Sequence, residues 1–426
     1  MKKSEARIIQ VWADWEGLGK PRRMGSLTAA PSRGKELFYF EYEAGWLASG
    51  YPQMLDPLLL LVSGAQYATE GKPNFGMFLD SSPDRWGRFL MDRREAQLAR
   101  EESRDRSPLK ESDYLLGVFD GFRMGALRFR LEDDGAFLDD NRQRPAPPFT
   151  SLRELEQASI EIQRTGSDRR PDYAKWVRML IAPGGSLGGA RPKAGVADEN
   201  GSLWIAKFPS SNDTKDIGAW EYLAYRLAVR AGIEISECRS QKYGSAHHTF
   251  LTKRFDRTEA GGRMHFASAM TLLNRNDGDD ASAGTSYLEL AEFLVKEGAH
   301  TDCDLEQLWR RIVFFICISN VDDHLRNHGF ILEERGWALS PAYDINPSEY
   351  GDGLKLNISD ADNTQDLELA MEVADFFRVN SKRALQIVNE VVEAVKTWRV
   401  LARSLGISSA EQESMEQAFR VAESAK

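Results

Sequence analysis

The sequence is poor in the residues that build metal–sulfur and disulfide frameworks. Its 426 residues include only three cysteines, Cys238, Cys303 and Cys317. No two of them form a Cys-x-x-Cys pair, so neither a zinc framework of that kind nor a disulfide scaffold is expected. A reducing compartment such as the cytoplasm suits this composition.

Long apolar runs and an excess of positive charge are also lacking. No run of about 18 apolar residues occurs, and no apolar signal core follows the first three residues. We therefore expect no membrane contact and a cytoplasmic location. The formal net charge is -10, whereas a protein that binds nucleic acid unaided needs a clustered basic surface. Direct binding to nucleic acid is therefore not expected.

The length predicts more than one domain, since a single core rarely grows beyond about 250–300 residues. Strand-like runs at residues 8–12 and 36–42 and a helix-like stretch from Asp84 indicate a mixed α/β domain over residues 1–130. Acidic residues followed by three prolines predict a linker at 131–150. The regions that follow, 151–270 and 271–426, are predicted as separate units. The second should be mostly helical, with a peripheral amphipathic helix from Ser408.

A glycine-rich stretch opens the informative part of the chain. Residues 182–193 (APGGSLGGARPK) predict a loop, followed by a strand at 203–208, a helix that ends near Gly232, and another strand at 250–255. Glycines let backbone amides approach phosphates closely. The loop is not a Walker P-loop, because no glycine stands immediately before Lys193.

The strongest motif follows a predicted buried helix that ends near residue 318. Residues 319–328 are SNVDDHLRNH, and a predicted β-hairpin separates them from Tyr343 and Asp344. Protein kinases place an Asp and an Asn five residues apart in the catalytic loop and a second Asp after a short hairpin. Asp322, Asn327 and Asp344 have this order.

These residue types predict phosphoryl transfer from ATP. Asp322 would orient the acceptor hydroxyl and accept its proton, and Asn327 and Asp344 would hold Mg²⁺, which prefers oxygen ligands. Lys207 would pair with the α- and β-phosphates, and Glu221 could hold Lys207 in place. We expect these groups to converge around one nucleotide.

Several of these residues also have a purely structural interpretation. Asp322 could cap a helix or shape a turn, Lys207 could protect an edge strand, and Glu221 could be a solvated helix residue. His324 could ligate zinc beside Asp322 or Asp323. No second histidine pair at helical spacing supports zinc, so we expect His324 to brace the catalytic loop by hydrogen bonding.

The combination of motifs resembles the HipA kinases. Residues 186–193 are similar to their glycine-rich segment, 254–257 (RFDR) to their R-F-D-R stretch, and 322–327 (DDHLRN) to their D-x-H-x-K-N catalytic loop. Tyr343-Asp344 resembles their metal-binding Y-D pair. The similarity extends to their N-terminal domain at Gly25-Ser26-Leu27, Phe38-Tyr39-Phe40 and residues 83–87.

Two departures from the family pattern indicate a divergent subfamily. Arg326 replaces a lysine, and residues 265–270 (HFASAM) stand where many HipA proteins carry Gln-Glu-Asp. The resemblance still implies an α/β (α+β), kinase-like two-lobe fold. Its N-terminal region would be mixed α/β with antiparallel strands and its C-terminal lobe mostly α-helical.

The resemblance also implies a function. HipA proteins are toxins of type II toxin–antitoxin systems that phosphorylate a serine of a protein substrate, an aminoacyl-tRNA synthetase in the best-known case. A small helix-turn-helix antitoxin of the HipB type is the implied partner, and it would supply the only contact with DNA. The alternatives are a small-molecule phosphotransferase on the same scaffold and a non-catalytic co-repressor acting with its antitoxin.

The resemblance implies site residues as well. Ser186 would be autophosphorylated, Lys207 would bind ATP, and residues 253–255 would form the hinge that meets adenine. The predicted cofactors are ATP and Mg²⁺. The full predicted ATP site comprises Gly188, Gly189, Ala190, Arg191, Pro192, Lys193, Lys207, Lys253, Arg254, Phe255, His324, Arg326, Asn327 and Asp344.

Overall fold

The computed structural model describes residues 6–51, 53–69, 71–138, 146–184 and 189–425. The chain forms two compact units. The first comprises residues 1–212 with the short returning segments 243–245 and 256–267, and the second comprises 213–242, 246–255 and 268–426.

The first unit contains a five-stranded antiparallel sheet with the strand order β4-β3-β2-β1-β5. Its strands are β1 (Arg7–Ala13), β2 (Arg22–Ser32), β3 (Lys35–Tyr42), β4 (Gln66–Tyr67) and β5 (Leu127–Arg130). Ile9, Val11 and Ala13 alternate along β1 and are fully buried, because successive side chains of a strand point to opposite faces. The two strands predicted in this region are confirmed.

The rest of the first unit is helical, with one further hairpin. Its helices are α1 (Ala44–Leu47), α2 (Gly76–Asp80), α3 (Arg85–Glu101), α4 (Glu111–Leu116), α5 (Leu152–Gln163) and α6 (Tyr173–Gly184), and its hairpin joins β6 (Lys193–Ala197) to β7 (Leu203–Lys207). Helix α6 packs against α3 and α5. The glycine-rich loop was predicted to begin at residue 182, but α6 continues to Gly184, so that boundary is wrong.

The second unit is mostly helical. Its elements are α7 (Ile217–Arg230), the antiparallel pair β8 (Cys238–Gln241) and β9 (Thr249–Lys253), β10 (Phe266–Ser268) where the chain enters from the first unit, α8 (Ala269–Leu272), α9 (Tyr287–Glu297), α10 (Thr301–Ile318), β11 (Gly329–Glu333), β12 (Gly336–Leu339), α11 (Leu367–Glu372), α12 (Ser381–Val395), α13 (Trp398–Ser404), α14 (Ser409–Met415) and α15 (Arg420–Ser424). Residues 308–318 of α10 are all buried. The buried stretch is apolar apart from Arg310 and Arg311, and the prediction of a buried helix is confirmed.

The hairpin predicted after the catalytic motif is present, since β11 and β12 pair in antiparallel register. The prediction of a peripheral helix from Ser408 is wrong. The segment forms α14 and α15 with a 3-10 turn between them, and Phe419 is fully buried with its ring stacked 4.2 Å from that of Trp398. Met415, Ala418, Phe419 and Ala422 recur at helical spacing and face the core.

The described residues form no helix that is both long and apolar enough to cross a membrane. The mixed α/β character, the antiparallel strands and the helical C-terminal part agree with the predicted fold class. The division at residues 130, 150 and 270 stays a prediction, because part of the expected linker lies outside the described residues.

Candidate active site

The predicted site residues fall into two sets, one in each compact unit. Gly189 to Lys193 and Lys207 belong to the first unit, whereas Glu221, residues 253–255, residues 322–327 and Asp344 belong to the second. Ser186 and Gly188 lie outside the described residues.

The predicted catalytic loop, residues 319–328, starts in the second unit where α10 ends. Its backbone is closed by short hydrogen bonds, from the amide of His324 to the Asp322 carbonyl at 3.0 Å and from the amide of Asn327 to the His324 carbonyl at 2.8 Å. The side chain of Asn327 adds a bond from Nδ2 to the Asp322 carbonyl at 3.0 Å. Within the described residues the Asp322 carboxylate makes no hydrogen bond, and it is exposed. The carbonyl of Asp322 shapes the turn and leaves the carboxylate available to an acceptor group.

The next carboxylate, that of Asp323, points into the core instead. It accepts hydrogen bonds from Tyr287 Oη at 2.6 Å and pairs with His328 Nε2 at 2.8 Å, and all three residues are buried. Burial, and then the charge of Asp323, raise the pKa of Tyr287 well above its ordinary value, so the phenol remains a donor. This buried cluster anchors the loop to α9, a role that no local sequence signal indicated.

The segment that carries Asp344 is bonded to the catalytic loop. Tyr343 Oη donates to the carbonyl of Arg326 at 2.7 Å, and the amide of Asn346 donates to Asn320 Oδ1 at 3.2 Å. These two bonds lie on either side of Asp344 in the chain. The structure therefore holds the Asp344 segment against the loop of Asp322 and Asn327.

The side chains of Asn327 and Asp344 fit a magnesium ion chemically. Asn327 Nδ2 donates to the loop backbone, and within the part of the chain that the structure describes its Oδ1 makes no hydrogen bond. Asp344 offers a carboxylate. Mg²⁺ prefers such hard oxygen ligands, and beside a nucleotide it needs only one or two of them from the protein. Within the described ranges, no group of three His, Cys, Asp or Glu side chains is placed to hold a metal.

The predicted hinge lies next to Tyr343. The rings of Phe255 and Tyr343 are 5.5 Å apart, while Lys253 ends β9 and Arg254 is buried. Tyr343 thus contacts the predicted adenine hinge with its ring and the catalytic loop with its hydroxyl. This double contact links two parts of the predicted ATP site.

The remaining predicted site residues of the second unit are Arg326, Glu221 and His324. Arg326 forms an ion pair with Asp277. Glu221 is buried on α7, so its interpretation as a solvated helix residue is wrong. His324 Nδ1 is buried and has no hydrogen-bond partner within the described part of the chain. The brace expected of His324 and the contacts of Arg326 and Lys253 with ATP stay predictions.

In the first unit, two lysines face each other across the β6–β7 hairpin. Lys193 and Lys207 are direct partners in the antiparallel register, which places their side chains on the same face of the hairpin. Like charges in directly opposite positions destabilise a sheet. The register therefore places two cationic side chains side by side on this face of the hairpin.

The end of the glycine-rich loop is held by the first turn of α3. The amide of Gly189 donates to Asp84 Oδ2 at 2.6 Å, the amide of Trp86 donates to the Gly189 carbonyl at 3.2 Å, and Trp86 Nε1 donates to the Lys193 carbonyl at 2.8 Å. Asp84 also accepts from the amide of Arg85 as the cap of α3. The helix was predicted from Asp84, but its contact with the glycine-rich loop was not.

The three residues between Gly189 and Lys193 run along the hairpin. Ala190 is exposed, the Pro192 carbonyl accepts from the amide of Phe208 at 2.8 Å, and Arg191 Nη2 lies 3.5 Å from the Phe208 carbonyl. The loop therefore enters β6 with its backbone fixed from both sides.

Gly189→Ala should weaken nucleotide binding as well as destabilise the fold. Gly189 has φ +85, and a Cβ there would lie 2.6 Å from Lys193 Nζ. A left-handed alanine loses about 1–2 kcal/mol, and the flexible amine of Lys193 must also move. We expect roughly tenfold weaker binding of a fluorescent ATP analogue, equivalent to about 1.4 kcal/mol.

Gly201→Ala is the matched control, because Gly201 has φ +81 and no other group lies within 4 Å of the position that the new methyl group would take. It should lose similar stability in chemical denaturation and keep its nucleotide affinity. Equal nucleotide affinity in the two variants would show that Lys193 does not bind ATP.

Comparison with known proteins decides the family. The family described as HipA-like C-terminal domain matches residues 185–399, which is half of the chain. The chain belongs to this family. The range includes every predicted site residue of both sets and leaves out the segment after α13.

Two curated relatives match parts of this chain. One is "Putative kinase" of Haemophilus influenzae, 26% identical over 147 residues, which are 32% of this chain and 43% of that protein. The other is "Putative kinase Y4dM" of Sinorhizobium fredii, 30% identical over 164 residues, 35% of this chain and 38% of that protein. The chain spans less than half the length of these relatives.

Solved structures extend the likeness to the whole chain. HipA of Shewanella oneidensis MR-1, from a complex with HipB and operator DNA, superposes with a TM-score of 0.66 at 17% identity over 97% of this chain and 96% of that one. This likeness confirms the predicted HipA kinase-like fold. The proinflammatory kinase CtkA of Helicobacter pylori gives a TM-score of only 0.40 at 14% identity, over 57% of this chain and 96% of that one.

Proposed function

We propose that this HipA-family protein is an ATP-dependent Ser/Thr protein kinase. The observation that carries the proposal is that the segment containing Asp344 is hydrogen-bonded to the loop containing Asp322 and Asn327. Tyr343 and Asn346 tie the Asp344 segment to the loop in which the Asp322 carboxylate is exposed. A base and two oxygen ligands in one junction are the parts that phosphoryl transfer needs.

The chemistry follows from these positions. Asp322 orients a substrate serine and accepts its proton as the serine oxygen attacks the γ-phosphorus. The new bond joins that oxygen to phosphorus, and the bond to the leaving ADP oxygen breaks. Mg²⁺ held by Asn327 and Asp344 would neutralise charge on the phosphates when it is bound. Because Asp322 is exposed, the acceptor serine can belong to a folded protein.

The residues of the first unit would hold the phosphates. Lys193 and Lys207 supply two positive charges on one face of the hairpin. Glu221 is buried on α7 of the second unit, and its role toward Lys207 stays a prediction. We also propose that Ser186, in the glycine-rich loop, is phosphorylated by the enzyme itself and that this inactivates it.

As its biological role we propose a toxin of a type II toxin–antitoxin pair with a HipB-like helix-turn-helix partner. The whole-chain likeness to a HipA from a complex with HipB and operator DNA supports this proposal. The net charge of -10 suits a protein that reaches DNA through its partner. An aminoacyl-tRNA synthetase is the first candidate substrate, and its phosphorylation would arrest growth.

Incubation of the protein with γ-labelled ATP and a bacterial lysate tests this proposal. Labelled protein bands that depend on the enzyme and on Mg²⁺, with phosphoserine found by mass spectrometry, are expected. Label found only on a small molecule would support the small-molecule phosphotransferase instead. Label found nowhere, with the partner protein still bound, would support the non-catalytic co-repressor.

A further inference from the structure

The segment after α13 is part of the second unit although it lies beyond the range that matches the family. Phe419 stacks on Trp398, and its ring is also 6.4 Å from that of Trp220 on α7. Helix α15 packs against α10 and α12. Residues 408–425 therefore belong to the core that carries the catalytic loop.

Arg420 of this segment reaches the start of the catalytic loop. Its Nη1 donates to Ser319 Oγ at 3.1 Å and its Nη2 to Gln365 Oε1 at 2.9 Å, while Ser319 Oγ donates to Gln365 Oε1 at 2.8 Å. Ser319 is fully buried and has φ +50, so it is the residue at which the chain turns from α10 into the loop. The closed set of bonds fixes that turn three residues before Asp322.

Glu411 reaches a second element of the site. Its Oε2 accepts from the amide of Asp216 at 3.1 Å and from Trp220 Nε1 at 3.2 Å. Asp216 caps α7 by accepting from the amide of Ala219 at 3.2 Å, and Trp220 immediately precedes Glu221. A carboxylate beside the first turn of a helix is also favoured by the helix dipole. Glu411 therefore fixes the end of α7 that carries Glu221.

We propose that residues 408–425 form a C-terminal brace that positions both elements for phosphoryl transfer. Arg420 and Glu411 are its positioning residues, acting through the catalytic loop and through α7 respectively. This inference rests on the kinase function proposed above. A misplacement of the reacting groups by about 1 Å can lower the rate of transfer about 100-fold. Small movements of either element should therefore produce a measurable change in rate.

Arg420→Met tests the contact with the loop. The methionine keeps the apolar stem and removes the donors, so the turn at Ser319 should open more often. We expect kcat to fall about 10- to 100-fold with KM for ATP changed less than about twofold. Amide hydrogen exchange of residues 320–327 should rise about tenfold. Arg420→Lys should recover part of the lost kcat and part of the lost protection from exchange. Arg403→Met, at an exposed position of α13, should change neither kcat nor the exchange of residues 320–327.

Glu411→Gln tests the contact with α7. The amide oxygen is a weaker acceptor than the carboxylate, so the start of α7, which carries Glu221, should loosen. We expect KM for ATP to rise about three- to tenfold with a smaller change in kcat. Glu413→Gln is the control, because Glu413 is exposed on the same helix.

A merely structural role for the segment would not separate the two effects, because general destabilisation lowers activity in proportion to the unfolded fraction. The brace is wrong if activity follows the thermal melting curve alone, or if both variants keep wild-type kcat, KM and exchange of residues 320–327. If the wild-type protein transfers no phosphate, the proposed function fails. The exchange measurement still decides the brace in that case.

Discussion

Asp322→Asn is expected to abolish phosphoryl transfer and to leave ATP binding intact. The amide keeps the size of the carboxylate but cannot accept the proton of the acceptor serine. General-base catalysis typically contributes about 10²–10⁴-fold to a rate, so residual transfer should fall by at least that range. The rate is measured with γ-labelled ATP, and binding is measured by calorimetry with an ATP analogue. Because the Asp322 side chain makes no hydrogen bond among the described residues, stability should change little.

The exposed carboxylate of Asp360 provides the matched control. Asp360→Asn removes the same charge from the same unit and should transfer phosphate at the wild-type rate. Asp323→Asn should behave differently again, since Asp323 is buried between Tyr287 and His328, and its loss should lower the free energy of unfolding. Full activity in Asp322→Asn would show that another group takes the proton.

The parts of the fold that could be predicted are those set by local patterns. The buried helix α10, the β11–β12 hairpin and the strands β1 and β3 follow from periodicity within windows of 5 to 18 residues. The family could be predicted because its motifs occur in a fixed order along the chain. The order also predicted that Asp344 would return to the loop of Asp322.

The contacts that assemble the site could not be predicted, because they join distant parts of the chain. Asp84 and Gly189 are 105 residues apart, and Arg420 and Ser319 are 101 residues apart. A hydrogen bond between residues so far apart in the chain produces no periodic pattern in a single sequence. The apolar stripe at Met415 to Ala422 did carry a signal, but the polar residues around it favoured a peripheral position. Burial of Phe419 shows that the stripe was the better guide.

Asp344→Asn is expected to lower transfer by more than about 100-fold, and to do so through the metal. Removing a ligand should exceed the 10- to 100-fold typical of residues that only support one. Asn is the suitable replacement because Asp344 has φ +56, a left-handed conformation that Asn and Asp tolerate best. Its amide oxygen can still accept from Asn346 Nδ2, which lies 3.3 Å from Asp344 Oδ1. The backbone should therefore stay in place while the charge is lost.

A titration of transfer rate against Mg²⁺ concentration separates a metal ligand from a structural residue. Asp344→Asn should need much more Mg²⁺ for half-maximal rate, because a neutral amide oxygen binds a divalent cation more weakly than a carboxylate does. Binding of Mn²⁺ in the presence of ADP, followed by electron paramagnetic resonance, should weaken in parallel. Asp360→Asn should leave both curves unchanged. A variant that is slow at every Mg²⁺ concentration but keeps the wild-type midpoint would remove Asp344 from the metal site and leave Asn327 as its one proposed protein ligand.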